Sequence, residues 1–400
     1  MHSYQKIKIS NDALDKALSD AKIILSEYSL CEHCIGRLFA KKMRINSNQQ
    51  LGKKIQNRLF LKLSKKCYIC KGTLSNLDSI INKMIEKSHD YKFLTFVVGA
   101  ILKPSITDRD DLIRSKFKLQ GIDSVKTAIT KELSKKFQKK TRKKIDFLNP
   151  DLTFTFNFKD DSCELRSKPL ILFGRYIKKN RGLPQKQVPC INCKGKGCLQ
   201  CENHGFSKFT SVEGKISKFL FDKFSGTQTK ITWFGGEDKN SLVLGNGRPF
   251  FIKLFNPKKR TARLQKNYVI DELEIHNLKI ISKISKQVIP FRSNIELSIL
   301  SEHNLNDKNL NNLKTLIDTS ITVYVKHSKR NQKSIHKLKF KKSSPTSFSL
   351  WITADGGLPI KRFVEGNDVY PNITDLLGTK CRCKEYDIHR VDLLHLKSNF

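Results

Sequence analysis

The stretch WFGGEDKNSLVLGNGRPFF, residues 233–251, sets two carboxylates, Glu237 and Asp238, in a glycine-flanked turn. On either side the chain reads as strand: KITWF (230–234) before it and RPFFIKLF (248–255) after it, both rich in β-branched or aromatic residues. A carboxylate on such a turn can stand at the edge of a cleft, where glycine lets a ligand approach the backbone closely. The same pattern also fits an ordinary acidic turn. Its surroundings matter here: in a strongly cationic chain, a cleft carboxylate stays ionised and poised as a nucleophile.

The cationic surplus is large. Of 400 residues, 76 are Lys or Arg and 37 are Asp or Glu, for a formal net charge of +39. Such self-repulsion points to a polyanionic partner, above all nucleic acid. An apolar content of 38% and 25 Phe argue for packed cores rather than a disordered polyelectrolyte. The length suggests two or three domains. Two segments concentrate the charge: KKFQKKTRKK (135–144) and KHSKRNQKSIHKLKFKK (326–342). Each alone reads as a solvated helix or loop face; together they point to phosphate contacts that give affinity without sequence readout. The longest apolar run, Phe93–Leu102, is too short to cross a bilayer, and Met1–Gln5 does not open a signal peptide. A cytoplasmic monomer with no membrane contact is expected.

Residues 11–28 read as an amphipathic helix, capped by Asn11, with Leu14, Leu18, Ala21 and Leu25 on one face. Helical spacing recurs at Leu51, Ile55 and Leu59, and again from Leu77 to Ile85. From Tyr91 the pattern becomes α+β: strand FLTFVVGAIL (93–102), a helix over 123–138, strand LTFTFNF (152–158). A further helix carries Val212, Ile216, Phe219 and Leu220 and stops at Gly226. FSLWITA (348–354) is another strand.

Eight of the eleven cysteines form C-x-x-C pairs: Cys31/Cys34, Cys67/Cys70, Cys190/Cys193 and Cys198/Cys201. Such pairs are metal knuckles rather than a disulfide framework. The first two would grip one structural zinc through four thiolates, with no open coordination position for catalysis. CINCKGKGCLQC (190–201) suits a second structural zinc, and its spacing equally admits an iron–sulfur cluster. Cys163 reads as a buried apolar thiol.

Ordered blocks along nearly the whole chain resemble the archaeal and eukaryotic family of tRNA pseudouridine synthases numbered ten. CEHCIGRLF and CYIC are similar to that family's N-terminal cysteine pairs, and FGRYIKKNRGLPQ (173–185) to its GRYxKxxRxxPQ segment. TSVEGKI resembles its TSVEE helix start, GGEDKNSLVLGNGRPF its catalytic block, and GGLPIKRFVEGN (356–367) its GGTYxKEFVHGD. NPKKR (256–260) also fits.

The resemblance implies a zinc-containing helical module (1–90), a THUMP-like RNA-binding region (91–185) and a pseudouridine synthase domain with a mixed, mainly antiparallel sheet (186–400). It implies uridine isomerisation in the TΨC arm of tRNA, at tRNA positions 54 and/or 55, without an organic cofactor. Asp238 falls on the catalytic aspartate; Arg248 and Lys361 keep family positions suited to phosphate or to pairing with Asp238. This chain departs at Gly236, where the family has Arg, and at Asn240, where it has Asp. It departs again at Leu358 and Pro359, where the family has Thr and Tyr, and near Ile295–Leu297, where a second tyrosine is absent. Tyr370 or Tyr324 could supply the missing aromatic. A catalytically weak or inactive tRNA-binding or tRNA-folding protein on this scaffold is the alternative. A zinc-ribbon DNA-binding factor leaves the 173–185 and 244–250 blocks unexplained.

Overall fold

A computed structural model describes residues 11–43, 45, 47–60, 66–284, 287–325 and 329–394. The expectations for Met1–Gln5, for Lys326–Ser328, and for the side chains of Asn11 and Leu14 lie outside the described residues. The chain divides into two compact units, Met1–Lys168 and Pro169–Phe400.

The first unit opens with four helices, α1 (Asn11–Glu27), α2 (Glu32–Ala40), α3 (Asn48–Leu59) and α4 (Asp78–Ser88). Ser47 caps α3 by accepting from the Gln50 N–H, and Phe60, at φ 52°, ends it. Helices α2 and α3 pack so closely that a Cβ on Gly36 would sit 1.8 Å from the Asn48 carbonyl oxygen, and one on Gly52 1.9 Å from that of Glu32. Only glycine fits at either crossing.

An α+β part follows: β1 (Thr95–Ile101), α5 (Pro104–Lys116), α6 (Val125–Thr141), β2 (Lys144–Ile145), β3 (Leu152–Asn157) and β4 (Ser162–Ser167). The sheet order is β2-β1-β3-β4, with β1 parallel to β2 and β3, and β3 antiparallel to β4. Phe96, Phe137 and Phe154 stack edge to face in its core, with ring centroids 4.8–6.4 Å apart. The buried Arg37 of α2 pairs with the buried Asp110 of α5 and donates to the Asp123 carbonyl at 2.6 Å. That ion pair ties the helical part to the sheet part. Removing one partner would strand a buried charge, at a cost of about 3–5 kcal/mol. The basic run 135–144 forms the last turns of α6, its left-handed cap Arg142, and the start of β2. Cys163 is half-buried against this core.

The second unit contains β5 (Leu170–Lys178), α7 (Val212–Phe224), β6 (Gln228–Trp233), β7 (Val243–Phe255), β8 (Asn267–Ile270), β9 (Leu273–Ile281) and β10 (Phe291–Ser301). It continues through α8 (Asp307–Asn311), β11 (Ser320–Val325), β12 (Lys329–Ser344), β13 (Ser347–Asp355), α9 (Ile360–Glu365), β14 (Val369–Tyr370), α10 (Ile373–Leu377) and β15 (Cys381–Leu393). These strands form one 11-stranded sheet, β14-β11-β12-β13-β10-β15-β7-β5-β9-β8, with β6 also on β7. Every described pairing is antiparallel except β15 with β7, which meet in parallel at Ile388 and Val243. Phe250, Phe251, Ile252 and Leu254 of β7 are all buried, as a strand covered on both faces requires.

Three expectations need correction. The basic run after residue 329 is neither helix nor loop but strand β12, which carries exposed Lys337, Lys339 and Lys341 beside buried Ile335 and Leu338. Residues 170–178, expected in the RNA-binding region, pair with β7 and β9 and so belong to the second unit's sheet. Helix α7 ends on Ser225, at φ 51°, one residue before Gly226.

Candidate active site and metal centres

The turn between β6 and β7 separates its two carboxylates. The Glu237 side chain is wholly buried, whereas that of Asp238 is 29% exposed. Glu237 receives the Tyr176 hydroxyl at 2.8 Å, the Lys178 ammonium at 3.1 Å and the Arg248 guanidinium at 3.7 Å. Burial pulls the Lys178 ammonium below its usual range, against the attraction of Glu237. Burial and then Glu237 push the Tyr176 phenol well above its range. Glu237 is therefore an anchor, and only Asp238 is offered to a ligand.

The conformation of this turn is set by segment 176–185. Lys178 Nζ donates to the carbonyls of Leu183 at 3.0 Å, Asp238 at 3.2 Å and Lys239 at 3.4 Å. The Gly182 N–H donates to the Lys239 carbonyl at 2.8 Å, and Arg181 donates to that of Asn240. Gln185 donates to the Gly235 carbonyl at 3.3 Å and the Tyr176 hydroxyl at 3.1 Å. Arg181 also grips Asp387 of β15 through two bonds of 2.7 Å, and Asp387 accepts the Leu242 N–H at 2.9 Å. The polar residues of the GRYIKKNRGLPQ block thus converge on one loop. The LGNGR block serves the same end: a Cβ on Gly245 would lie 2.0 Å from the His389 carbonyl oxygen, and one on Gly247 2.7 Å from that of Tyr176. Those contacts seat β7 between β15 and β5.

Held this way, Asp238 turns its carboxylate towards α9. Lys361 donates to Oδ2 at 2.7 Å and the Asn240 N–H to Oδ1 at 3.0 Å. Those two donors, Lys361 first, hold the Asp238 carboxyl below the usual aspartate range, and the bond to Asp238 in turn raises Lys361. Arg248, expected to reach phosphate or Asp238, is buried and turned instead to Glu237 and the Gly235 carbonyl. At Gly236 a Cβ would meet only Gln185 Oε1, at 4.0 Å, so the arginine of related sequences has room there. Pro359 starts α9 at φ −78°, and Ile295 and Leu297 face the core. Of the suggested replacements for the missing tyrosine, Tyr324 is on β11 and Tyr370 on β14, and Arg362 of α9, next to Lys361, donates to the Tyr324 carbonyl at 2.8 Å. Tyr176, Lys178 and Gln185 were singled out only as part of a motif, because their partners lie 50 to 61 residues away.

Both cysteine quartets converge. In each, the four sulfurs lie within 4.8 Å of one another: Cys31, Cys34, Cys67 and Cys70 in the first unit, and Cys190, Cys193, Cys198 and Cys201 in the second. Sulfur separations are 3.7 Å for Cys31–Cys70, 4.0 Å for Cys190–Cys198, 3.7 Å for Cys193–Cys201 and 3.6 Å for Cys198–Cys201. A tetrahedral Zn–S₄ centre with 2.3 Å bonds requires about 3.8 Å. Backbone N–H groups of Gly197, Cys198 and Gly205 point at Cys193 and Cys201 sulfurs at 3.2–3.3 Å, as thiolate ligands require. The thiols share protons unevenly. Hydrogen bonding with Cys31 and then Cys34 pulls Cys67 far below the thiol range, whereas Cys34 is pushed far above it by Cys31 and its neighbours. Both quartets can hold a metal ion.

The family profile "Pus10, C-terminal" matches residues 171–392, and "Pus10 THUMP domain, archaeal" matches 80–157. A protein named tRNA pseudouridine synthase Pus10 from Nitrosopumilus maritimus is 48% identical over 98% of this chain and 100% of its own. Its namesake from Cenarchaeum symbiosum is 34% identical over 91% and 90%. A chain of a solved Cbf5-Nop10-Gar1 complex overlaps 55% of this one at 8% identity and a TM-score of 0.30, too loosely to argue from. A THUMP domain joined to a pseudouridine synthase domain defines an RNA pseudouridine synthase. Within that class the chain belongs to the Pus10 family.

Proposed function

We propose that this protein isomerises uridine to pseudouridine in the TΨC arm of tRNA, at position 54, position 55 or both, with Asp238 as nucleophile. One observation carries the reading: a single ionised, partly exposed carboxylate stands on a loop whose backbone is fixed from both sides. The target base leaves its stack to reach the site. Asp238 then attacks the nucleoside, the glycosidic bond breaks, and the freed uracil turns and rejoins the sugar through C5. Lys361 keeps the carboxylate ionised and aimed, and the buried Glu237–Lys178–Arg248 group keeps the loop from yielding. The isomerisation is redox-neutral and calls for no organic cofactor. Zinc in both cysteine quartets has a structural part, bracing the helical module and the start of the second unit. The basic end of α6 and the lysines of β12 track tRNA phosphates. A monomer working in the cytoplasm fits this role.

The deciding experiment is single-turnover pseudouridine formation in a TΨC-arm transcript, with wild type and Asp238→Asn side by side. Wild type should react and Asp238→Asn should not, while both bind tRNA equally. Equal activity would remove Asp238 from the mechanism. Silence in both, with normal tRNA binding, would favour the non-catalytic tRNA-binding reading.

A further inference from the structure

One aromatic ring lies between the aspartate loop and the segment that leads into α9. Phe291 opens β10, one step beyond the pairing of Arg292 with Asp355 of β13. Its carbonyl accepts the Gly356 N–H at 2.7 Å, and its half-buried ring lies against that glycine. The ring has room only because Gly356 lacks a side chain: a Cβ would stand 2.3–2.4 Å from Cζ, Cε1 and Cε2. Carbon atoms pack at about 3.5–4.0 Å. The same edge of the ring reaches Gly235, where a Cβ would lie 3.3 Å from Cζ and 3.6 Å from Cε2. Phe234 meets Phe291 edge to face, with ring centroids 5.7 Å apart.

Both glycines sit in backbone that is fixed at other points. The Gly235 carbonyl accepts from Gln185 and from the Arg248 guanidinium, each at 3.3 Å. The Gly356 carbonyl accepts from Lys333 at 2.7 Å, and Leu358 and Ile360 are buried in the core beyond it. Asp238 follows Gly235 by three positions, and Lys361 follows Gly356 by five. Segments this short have little slack, and a close-packed interior transmits a displacement rather than absorbing it.

We propose that Phe291 is a positioning residue: its ring spaces the aspartate loop from the start of α9 and so brings Lys361 onto Asp238. It acts through Lys361, and its bearing on catalysis rests on the reading of Asp238 as the nucleophile. The groups facing that carboxylate are Lys361 from α9, the Asn240 N–H from its own loop and Lys178 from β5. Its charge also reaches Cys383 and Tyr386 of β15. Of these, Lys361 alone is carried by the segment that rests on the ring.

The test uses the full-length protein, isotopically labelled at its aspartate carboxyl carbons and titrated by NMR. The Asp238 signal is the one lost in Asp238→Asn. In wild type it should titrate below the ordinary aspartate value of 3.8. Gly356→Ala drives a methyl into the ring and should raise the titration towards 3.8, as Lys361→Met does, because a neighbouring cation is drawn away. It should add nothing to Lys361→Met in the same chain. Phe291→Leu removes the ring without adding atoms and should raise the titration too. Gly356→Ala together with Phe291→Leu, where the new methyl fills space the ring has left, should bring it back down. A packing role alone would lower the Tm and leave Asp238 unmoved; an unmoved Asp238 in either single variant would overturn the inference. So would a shift that adds to that of Lys361→Met, or one that the paired substitution fails to reverse. These titrations need no turnover. An inactive wild type that titrates as expected would overturn the reading of Asp238 as nucleophile and leave this placement standing.

Discussion

Lys361 Nζ stands 2.7 Å from Asp238 Oδ2, across 123 residues of chain. The two side chains are 46% and 29% exposed, so water screens the pair and its worth to stability is small. Its effect on ionisation is larger. Lys361 keeps Asp238 charged below the pH at which an ordinary aspartate, near 3.8, would take a proton. The ionised form, and whatever stability the pair adds, is present above that depressed pKa and is lost as pH falls through it.

The acid limb of the single-turnover rate should therefore lie below the ordinary aspartate range in wild type. In Lys361→Met it should move upward, towards neutrality. A pH–rate profile of both proteins checks this, and coincident acid limbs would separate Lys361 from the nucleophile.

Glu237→Gln should damage folding more than Asp238→Asn does. Glu237 faces Lys178 and Arg248, all three side chains being almost wholly buried, and removing its charge leaves two buried cations unpaired. The expected loss is about 3–5 kcal/mol, read from urea unfolding, against less than about 0.5 kcal/mol for the partly exposed Asp238. A Glu237→Gln protein of wild-type stability would show that the loop holds without this anchor.

Protein purified without chelator should carry two zinc ions, measured by elemental analysis. Cys67→Ser should lose one and loosen the first unit, and Cys201→Ser should lose the other. Iron with sulfide in the second quartet would replace zinc there.

Gly236→Arg should leave the Tm unchanged, since its Cβ enters open space. It should tighten tRNA binding and steepen the log–log salt dependence by about 0.7–0.9. A variant that unfolds, or whose slope is unmoved, would count against a phosphate beside this turn.

Much of this arrangement was legible where chemistry follows local spacing. The C-x-x-C pairs announced metal centres because each knuckle is a local turn, β1 announced itself as an apolar run, and β3 did so through alternation. Strand β12 did not. Register shifts between Ile335 and Lys337, and between Lys342 and Ser344, break its alternation, so its charge hid its period. The role of Lys178 was hidden for another reason: it acts on residues about 60 positions away, through backbone groups that no side-chain pattern records.

The grip of Arg181 on both Asn240 and Asp387 has a consequence for assembly. One guanidinium from near the start of the second unit needs a carboxylate from near its end before it can fix the loop between them. A nascent chain that has not yet emitted β15 has a nucleophile but no settled place for it. Competence at this site thus arrives only with the final strand, which makes the aspartate loop a sensor of completed folding: hydrogen exchange at Lys239 to Leu242 should slow last.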